Sequence, residues 1–268
     1  MKFNTPLYLI FTVLFGTCVF AQQPKTSSIE GDKSKDWNFY VAPYVLFAAQ
    51  STDVGGEKIR QSFNDLTSIT NSGFQLIGGV QYKKWTAYMD GTFAHLSFDE
   101  TKSILNLELK IVQTILDLRL GYNIYENLKH DKNEIIKGWT VQLNSGAKYW
   151  RNDLGIDYSI GSGNNAITGS VDEIQRWWDL MFGARFNFIL SPKVLLGVSG
   201  SIGGFGIGNS NDFSHDFTYS NSFIIKKYIW INAGFRSFKY KRTDGTGENE
   251  IKTTVHVLGP LIGVTFRI

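Results

Sequence analysis

The chain has 268 residues, of which 43% are hydrophobic and 15% aromatic, with 27 glycines but only 5 prolines. Its formal net charge is +3 and its mean hydropathy is −0.13. Because the charge is weak and no stretch is dense in lysine and arginine, we expect no nucleic acid among its partners. Many aromatic residues and glycines with little proline favour strands over helices.

The first 21 residues have the pattern of a secretory signal peptide. Lys2 supplies a positive charge, an apolar stretch runs from Leu7 to Phe20, and Ala21 is the small residue that signal peptidase requires. We predict cleavage near Ala21, which removes Cys18, the only cysteine, and with it disulfide and thiol chemistry. A lipoprotein signal at Cys18 is the less favoured alternative, since apolar residues follow that cysteine.

A polar segment, residues 22–36, has no apolar period and predicts a flexible periplasmic lead-in. From Trp37 onward, apolar and polar residues alternate at a period of two, and no apolar run is long enough for a membrane helix. A sheet can cross a membrane only when it closes and pairs every backbone group. We therefore predict an all-β, transmembrane, up-and-down antiparallel β-barrel over residues 37–268, with about ten strands and eight as the alternative. In chain order the predicted strands are 37–47, 74–83, 85–98, 103–124, 139–149, 178–188, 194–203, 217–226, 229–236 and 258–268.

The predicted connections alternate between short and long, as periplasmic turns and extracellular loops do in outer-membrane barrels. The shorter set is 83–84, 126–137, 191–193 and 226–227, and the longer set is 50–71, 99–103, 151–176, 207–216 and 241–251. An even strand number then places both termini in the periplasm. Loops 50–71 and 151–176 are the candidates for binding an unknown extracellular ligand.

The fourth predicted strand changes parity. Leu105, Leu107 and Leu109 occupy odd positions, whereas Leu116, Leu118 and Leu120 occupy even ones. We predict a β-bulge near Val112, the usual cause of such a shift. The alternatives are that the first half of the strand projects beyond the membrane within a hairpin, or that residues 103–120 are helical.

Tryptophans near the predicted strand ends predict an aromatic girdle at the level of the lipid headgroups. Its members are Trp37, Trp85, Trp139, Trp177 and Trp178, with Tyr149, Trp150 and Tyr228 nearby. In a secreted soluble barrel the same aromatic residues would pack inside. We favour the membrane, because the opposite face of each strand is rich in charged residues, Gly, Ser, Asn and Gln.

Charged residues with the parity of the polar face are predicted to point into the lumen. They are Asp90, Asp117, Arg119, Asp179, Arg185 and Arg236, with Lys148 on the same face. We interpret them as an ion-pair network that fills the interior, since a barrel of about ten strands has little free bore. The alternative is a selectivity constriction in a narrow passive channel for small polar solutes.

Other chemistry receives little support from the sequence. The glycine run 200–208 lacks the following helix that a phosphate-binding loop needs, and glycines at strand pitch fit close packing. His215 and Asp216 resemble half of a hydrolase site but are interpreted as part of a solvated loop. No spacing matches a zinc or calcium site. We expect no enzyme, no catalytic residue, no metal and no cofactor. Ser62 or Asn64 is expected to cap a short helix, which either covers the barrel mouth or packs on its own loop.

Several segments carry a family resemblance. They are Trp178-Asp179, Gly183-Ala184-Arg185, the run 200–208, Gly234-Phe235-Arg236, the run 259–266, Ser62–Leu66, and Trp85 with Asp90. With these segments the chain resembles small, mostly uncharacterised outer-membrane β-barrels of the broad class that contains OmpA and OmpW. The resemblance implies a Gram-negative outer membrane, with its lipids, lipopolysaccharide and the barrel-assembly machinery as partners. It implies no settled activity, so a structural or surface-exposed barrel is the expected function.

Overall fold

The computed structural model describes residues 37–102, 105–131, 134–160, 167–247 and 250–268. The predicted signal peptide, 1–21, and lead-in, 22–36, lie outside the described residues. The elements are β1 Trp37–Leu46, β2 Ala49–Val54, β3 Glu57–Gln61, α1 Phe63–Ile69, β4 Thr70–Tyr82, β5 Trp85–Lys102, β6 Leu105–Asp131, β7 Glu134–Ile160, β8 Ile167–Ser191, β9 Val194–Gly204, β10 Phe213–Lys226, β11 Ile229–Asp244 and β12 Ile251–Arg267. Among these elements no helix has the length and apolarity needed to cross a membrane.

Ten of the strands close into an antiparallel barrel. β1 pairs with β4 on one side and with β12 on the other, and β4 to β12 follow one another in chain order. The other two strands, β2 and β3, form a hairpin on the upper part of β12. The predicted ten-stranded up-and-down barrel is confirmed. We call the end at which β1 begins and β12 finishes the lower end, and the opposite end the upper end.

The two longest predicted loops are largely strand, so that prediction is wrong. Residues 151–160 and 167–176 pair with each other as the upper parts of β7 and β8. Segment 50–71 contains the hairpin β2–β3 and helix α1. β6 and β7 have 27 residues each, whereas a membrane crossing takes about 9–11 residues of strand. The alternating sequence pattern therefore continues beyond the length needed to cross a membrane, and the strands there remain paired with each other.

β6 has no bulge near Val112, contrary to the prediction. Its register with β5 runs without interruption from Trp85 opposite Tyr122 to Lys102 opposite Leu105. Because the register is unbroken, Leu109 keeps the strand parity of Ile115 and Asp117, and both Ile115 and Asp117 are buried. An apolar residue of this parity therefore needs no bulge, since Ile115 belongs to an apolar layer of the interior. The hairpin alternative is thus the correct one.

Helix α1 begins directly after Ser62, which caps it as predicted. The Asp65 backbone N donates to Ser62 Oγ at 3.3 Å, and the Ser62 backbone N donates to Asp65 Oδ2 at 2.7 Å. This reciprocal pair satisfies donors that a helix start leaves open, and it lowers the pKa of the Asp65 carboxyl. The ring of Phe63 packs edge-on against Phe47, with centroids 5.2 Å apart.

An apolar belt surrounds the outer wall of the barrel. Its exposed members come from all ten strands and include Phe39, Val45, Phe74, Met89, Phe93, Leu118, Leu120, Leu143, Leu180, Phe182, Ile202, Phe217, Phe223, Ile231, Phe235 and Ile262. A soluble protein rarely exposes a continuous apolar surface of this extent. The belt gives the barrel a transmembrane architecture and argues against a soluble barrel with an apolar interior.

Candidate functional site

The inward-facing residues of neighbouring β7 and β8 show how the lumen is layered. From the lower end upward, the directly opposed pairs include Gln142 with Arg185, Lys148 with Asp179, and Trp150 with Trp177. These pairs lie in three successive layers. A polar cavity comes first, then a network of charges, then a cluster of aromatic and aliphatic side chains.

The middle layer, which we call the charge network, consists of six residues. They are Asp90, Asp117, Arg119, Lys148, Asp216 and Arg236. Arg236 lies between two carboxylates, with Nη1 2.7 Å from Asp90 Oδ2 and Nη2 2.7 Å from Asp216 Oδ2. Three members are acidic and three are basic, so the network is electrically balanced.

The network crosses the lumen instead of following one wall. Lys148 Nζ on β7 lies 2.8 Å from Asp216 on β10 and 3.2 Å from Asp117 on β6. Asp117 in turn accepts from Nε and Nη2, along one edge of the Arg119 guanidinium. Arg119 also reaches Ser201 Oγ on β9 at 3.2 Å. Strands on opposite sides of the barrel are therefore connected through side chains.

Burial makes this pairing necessary. Lys148 is 2% exposed, and Asp117 and Arg119 are 5% exposed. A buried charge is tolerated only when a partner and hydrogen bonds replace the lost water. Tyr44 contributes such bonds, since its hydroxyl donates to Asp90 Oδ1 at 2.9 Å and accepts from Arg236 Nη1 at 2.7 Å.

Asp216 is a network member that was not predicted from the sequence. The predicted loop 207–216 ended at Asp216, whereas β10 already begins at Phe213. Ser214 and Thr218 share the inward parity of Asp216, and this alternation was the signal available in the sequence. Lys148 was identified by its parity alone.

Asp179 lies outside the charge network, although the sequence predicted it to belong. It is fully buried and accepts hydrogen bonds from neutral groups: Asn211 N at 2.9 Å, Asn211 Nδ2 at 2.6 Å, Trp150 Nε1 at 3.0 Å and Ser214 Oγ at 3.1 Å. Among the described residues, no ion pair to Asp179 is found. Its role is to hold the segment before β10 and the tryptophan above it in position.

The upper layer, which we call the aromatic cluster, is packed inside the barrel. It comprises Ile115, Trp150, Trp177, Tyr240, Val255 and Val257. Ring centroids are 4.9 Å apart for Trp150 and Tyr240 and 5.9 Å apart for Trp150 and Trp177. Trp177 is 3% exposed, so its assignment to the outer girdle is wrong, as is that of Trp150. Both residues have inward parity, and proximity to a strand end does not decide which face a residue occupies.

The other predicted girdle residues lie on the outer wall. Trp37, Trp85 and Trp178 are about half exposed, at 51%, 49% and 53%. Trp85 packs on Tyr122 at 4.7 Å, and Trp139 packs on Tyr125 at 4.6 Å, both near the lower end. Such cross-strand aromatic pairs stabilise a sheet. Their position at the headgroup level stays a prediction.

Fluorescence quenching separates the two kinds of tryptophan. In variants that keep one tryptophan and carry phenylalanine at the other positions, we expect brominated lipid to quench Trp178 strongly and Trp177 weakly. Trp178 faces outward and Trp177 faces the lumen, and because they are consecutive in β8 they lie at nearly the same height in the barrel. Equal quenching of the two would contradict the inward position of Trp177.

Below the charge network lies a cavity of about 720 Å³. Its walls carry hydroxyl and amide side chains from most strands, including Thr86, Thr140, Gln142, Asn144, Asn187, Ser199, Ser220 and Asn232. Arg185 also lines it, with its guanidinium 4.9 Å from the centre of the Tyr88 ring. No member of the aromatic cluster lines the cavity. Within the described chain, the cavity thus extends from the network toward the lower end.

The remaining candidate features do not form a further site. The glycine run 200–208 ends β9 and enters a turn, where Gly204, Gly206 and Gly208 have positive φ. Strand β10 follows, whereas a phosphate-binding loop would open a helix. Among the described residues, no group of three or more His, Cys, Asp or Glu is placed to hold a metal ion.

The fold defines the class of protein: a closed, ten-stranded transmembrane β-barrel. No family model and no curated protein matches the chain. Among solved structures, the outer membrane protease OmpT from Escherichia coli aligns over 86% of this chain and 97% of its own, with 8% identity and a TM-score of 0.51. Outer membrane protein OprG from Pseudomonas aeruginosa aligns over 91% of this chain and 98% of its own, with 13% identity and a TM-score of 0.30. The likeness to OmpT shows the fold alone, and the narrower class that contains OmpA and OmpW stays a prediction.

Proposed function

We propose that this protein is an integral outer-membrane barrel with a closed lumen, and that its function is structural or carried by its surface-exposed hairpins. The charge network carries this proposal. It joins β5, β6, β7, β10 and β11 by paired charges across the bore, and the aromatic cluster is packed directly above it. A solute that passed through would have to separate buried ion pairs, which costs several kcal/mol for each buried charge left without its partner.

A basic row beside the apolar belt supports an outer-membrane location. His215, Lys239, His256, Ser51 and Arg60 lie directly opposite one another across β10, β11, β12, β2 and β3, and so share one face. The next row upward on that face is mixed: it contains Phe213, Lys241, Thr254, Asp53 and Lys58, and Lys58 lies 4.0 Å from the Asp53 carboxylate. The row below contains Phe217 and Leu258. A change from apolar to basic residues fits the boundary between acyl chains and anionic headgroups, such as those of lipopolysaccharide.

We also propose that the protein is not an enzyme. Two observations support this. First, His215 and Asp216 are consecutive in β10, so their side chains face opposite sides of the barrel wall. Second, the Asp216 carboxylate is ion-paired with Lys148 and Arg236. The pair that resembled half of a hydrolase site therefore cannot act together.

The alternative function, a narrow passive channel, is tested in planar bilayers. We expect the purified full-length protein to give no stable single-channel steps, because the network and the aromatic cluster occlude the bore. Heat-modifiable gel mobility verifies that the inserted protein is folded. Stable steps whose size changes in Arg236→Ala, but not in the outer-wall control Arg176→Ala, would overturn the closed-lumen proposal in favour of the channel.

A further inference from the structure

We propose that the cavity below the charge network binds a small hydrophilic organic anion, a carboxylate or a phosphate ester, with Arg185 as its principal ligand. The cavity volume of about 720 Å³ falls within the range of small-molecule binding sites. The proposal goes beyond the closed-lumen function, since a site that opens toward one end of the barrel requires no passage through it.

Arg185 is a cation of the cavity lining that does not belong to the balanced network. Its guanidinium stacks over the Tyr88 ring at 4.9 Å and lies beside the Tyr40 hydroxyl. Its directly opposed neighbours are the neutral Gln142 on β7 and Ser199 on β9. Among the described residues, no carboxylate forms an ion pair with it. A guanidinium in an enclosed polar site is stabilised by an anion, and its planar fork matches a carboxylate or phosphate in a bidentate manner.

The charges around the cavity reinforce this preference. Outside the charge network, the charged lining residues are Lys83, Glu126, Arg185 and Arg267. Three of the four are basic, whereas the network residues neutralise one another. Low-dielectric walls focus the resulting positive potential into the cavity.

Two buried polar atoms of the lining have no hydrogen-bond partner among the described residues: Gln142 Oε1 and Trp230 Nε1. Gln142 is 4% exposed and Trp230 is 7% exposed. Buried polar groups in native proteins are nearly always bonded, so each such atom requires an explanation. Both residues line the cavity, so a small movement of the lining would give a bound hydroxylated anion access to these atoms. Its oxygens would then accept from the indole N–H, and its hydroxyls would donate to the amide oxygen.

The lining also specifies the body of the ligand. Hydroxyl and amide side chains dominate the wall around Arg185, including Thr140, Asn144, Asn187 and Ser199. Such groups can hydrogen-bond to the hydroxyls of a polyhydroxylated molecule, whereas the apolar part of an apolar anion would leave them without partners. A hydroxycarboxylate or a sugar phosphate fits this chemistry, and a fatty acid does not.

Isothermal titration calorimetry of the full-length protein in detergent micelles tests the proposal. Citrate and glucose 6-phosphate are the anionic probes, and glucose is the uncharged one. We expect saturable binding of at least one anion and none of glucose. Arg185→Gln should weaken anion binding about 10- to 100-fold, the value of one charged hydrogen-bonded contact. Arg185→Lys should retain part of the affinity, and Arg176→Gln on the outer wall should change nothing.

The proposal is overturned if neither anion binds saturably, or if a folded Arg185→Gln variant binds as tightly as the unmodified chain. If Arg185→Gln does not fold, as judged by heat-modifiable mobility, Trp230→Phe is the second test and should reduce affinity by removing one donor. Conductance distinguishes this inference from the proposed function. Absence of anion binding in a non-conducting barrel refutes the site alone, whereas stable single-channel steps refute the closed lumen whatever the calorimetry shows.

Discussion

Replacing Arg236 with methionine is expected to lower the free energy of unfolding by about 3–5 kcal/mol, the cost of breaking a buried ion pair from one side. Methionine keeps much of the volume of the arginine side chain and removes its charge. The substitution deprives Asp90 of a cation at 2.7 Å and Asp216 of two hydrogen bonds, at 2.7 and 3.1 Å. Urea unfolding in phosphatidylcholine vesicles, followed by tryptophan fluorescence, measures the loss.

The matched control is Lys241→Met on β11, where the lysine is exposed. It should change the free energy of unfolding by less than about 0.5 kcal/mol, as is usual for surface positions. A second comparison tests the charge argument itself. Asp90→Asn added to Arg236→Met removes the carboxylate that the arginine leaves unpaired, so the double variant should be more stable than Arg236→Met alone. A double variant that loses the sum of both single effects would show that Asp90 and Arg236 are not coupled.

The barrel itself could be predicted from the sequence because its signal is repeated in every strand. In strands such as β8 and β12, backbone geometry alone sends successive side chains to opposite faces. The faces predicted from the sequence match the exposed and buried positions of these strands. The lengths of the strands were much harder to predict from the sequence. Alternation also occurs in residues 151–160 and 167–176, which pair as strands beyond the apolar belt. The period of the hydrophobic pattern alone therefore does not mark where a membrane would end.

The candidate site could be predicted only in part from the sequence. Parity brought Asp117, Arg119 and Arg236 to one face but contains no information about distances across the lumen. Asp179 and Arg185 share that parity, and yet the first bonds to neutral groups and the second faces the cavity. Which cation meets which acid depends on the height and reach of each side chain, and these follow from the stagger of the closed sheet.

Parity and amino-acid type conflicted at three places, and each conflict has the same physical origin. Ile115, Trp150 and Trp177 are apolar residues at inward positions. The predicted girdle for Trp150 and Trp177, and the bulge predicted near Val112 in the strand that contains Ile115, both follow from assuming a lumen that is polar throughout. The upper lumen is instead packed like the core of a soluble protein. An apolar residue with inward parity in a barrel is therefore better explained by a packed layer than by a change of register.

Replacing Trp150 with alanine is expected to lower the free energy of unfolding by about 3–5 kcal/mol, as for a large aromatic side chain removed from a packed core. Trp150 is 2% exposed, stacks on Trp177 and packs against the tilted ring of Tyr240. Its indole N–H also donates to the buried Asp179 at 3.0 Å. Trp178→Ala is the control, since that side chain is half exposed on the outer wall and should cost clearly less.

Trp150→Phe separates packing from hydrogen bonding. It keeps an aromatic ring but removes one donor to Asp179, and the cost of leaving a buried acceptor short is about 1–3 kcal/mol. We therefore expect its unfolding free energy to lie between those of Trp150→Ala and the unmodified chain. Equal stability of Trp150→Ala and Trp178→Ala would contradict a packed upper layer. Conductance of Trp150→Ala addresses closure as well, because the charge network below the aromatic cluster stays intact in this variant. If the network alone closes the bore, Trp150→Ala is destabilised but does not conduct.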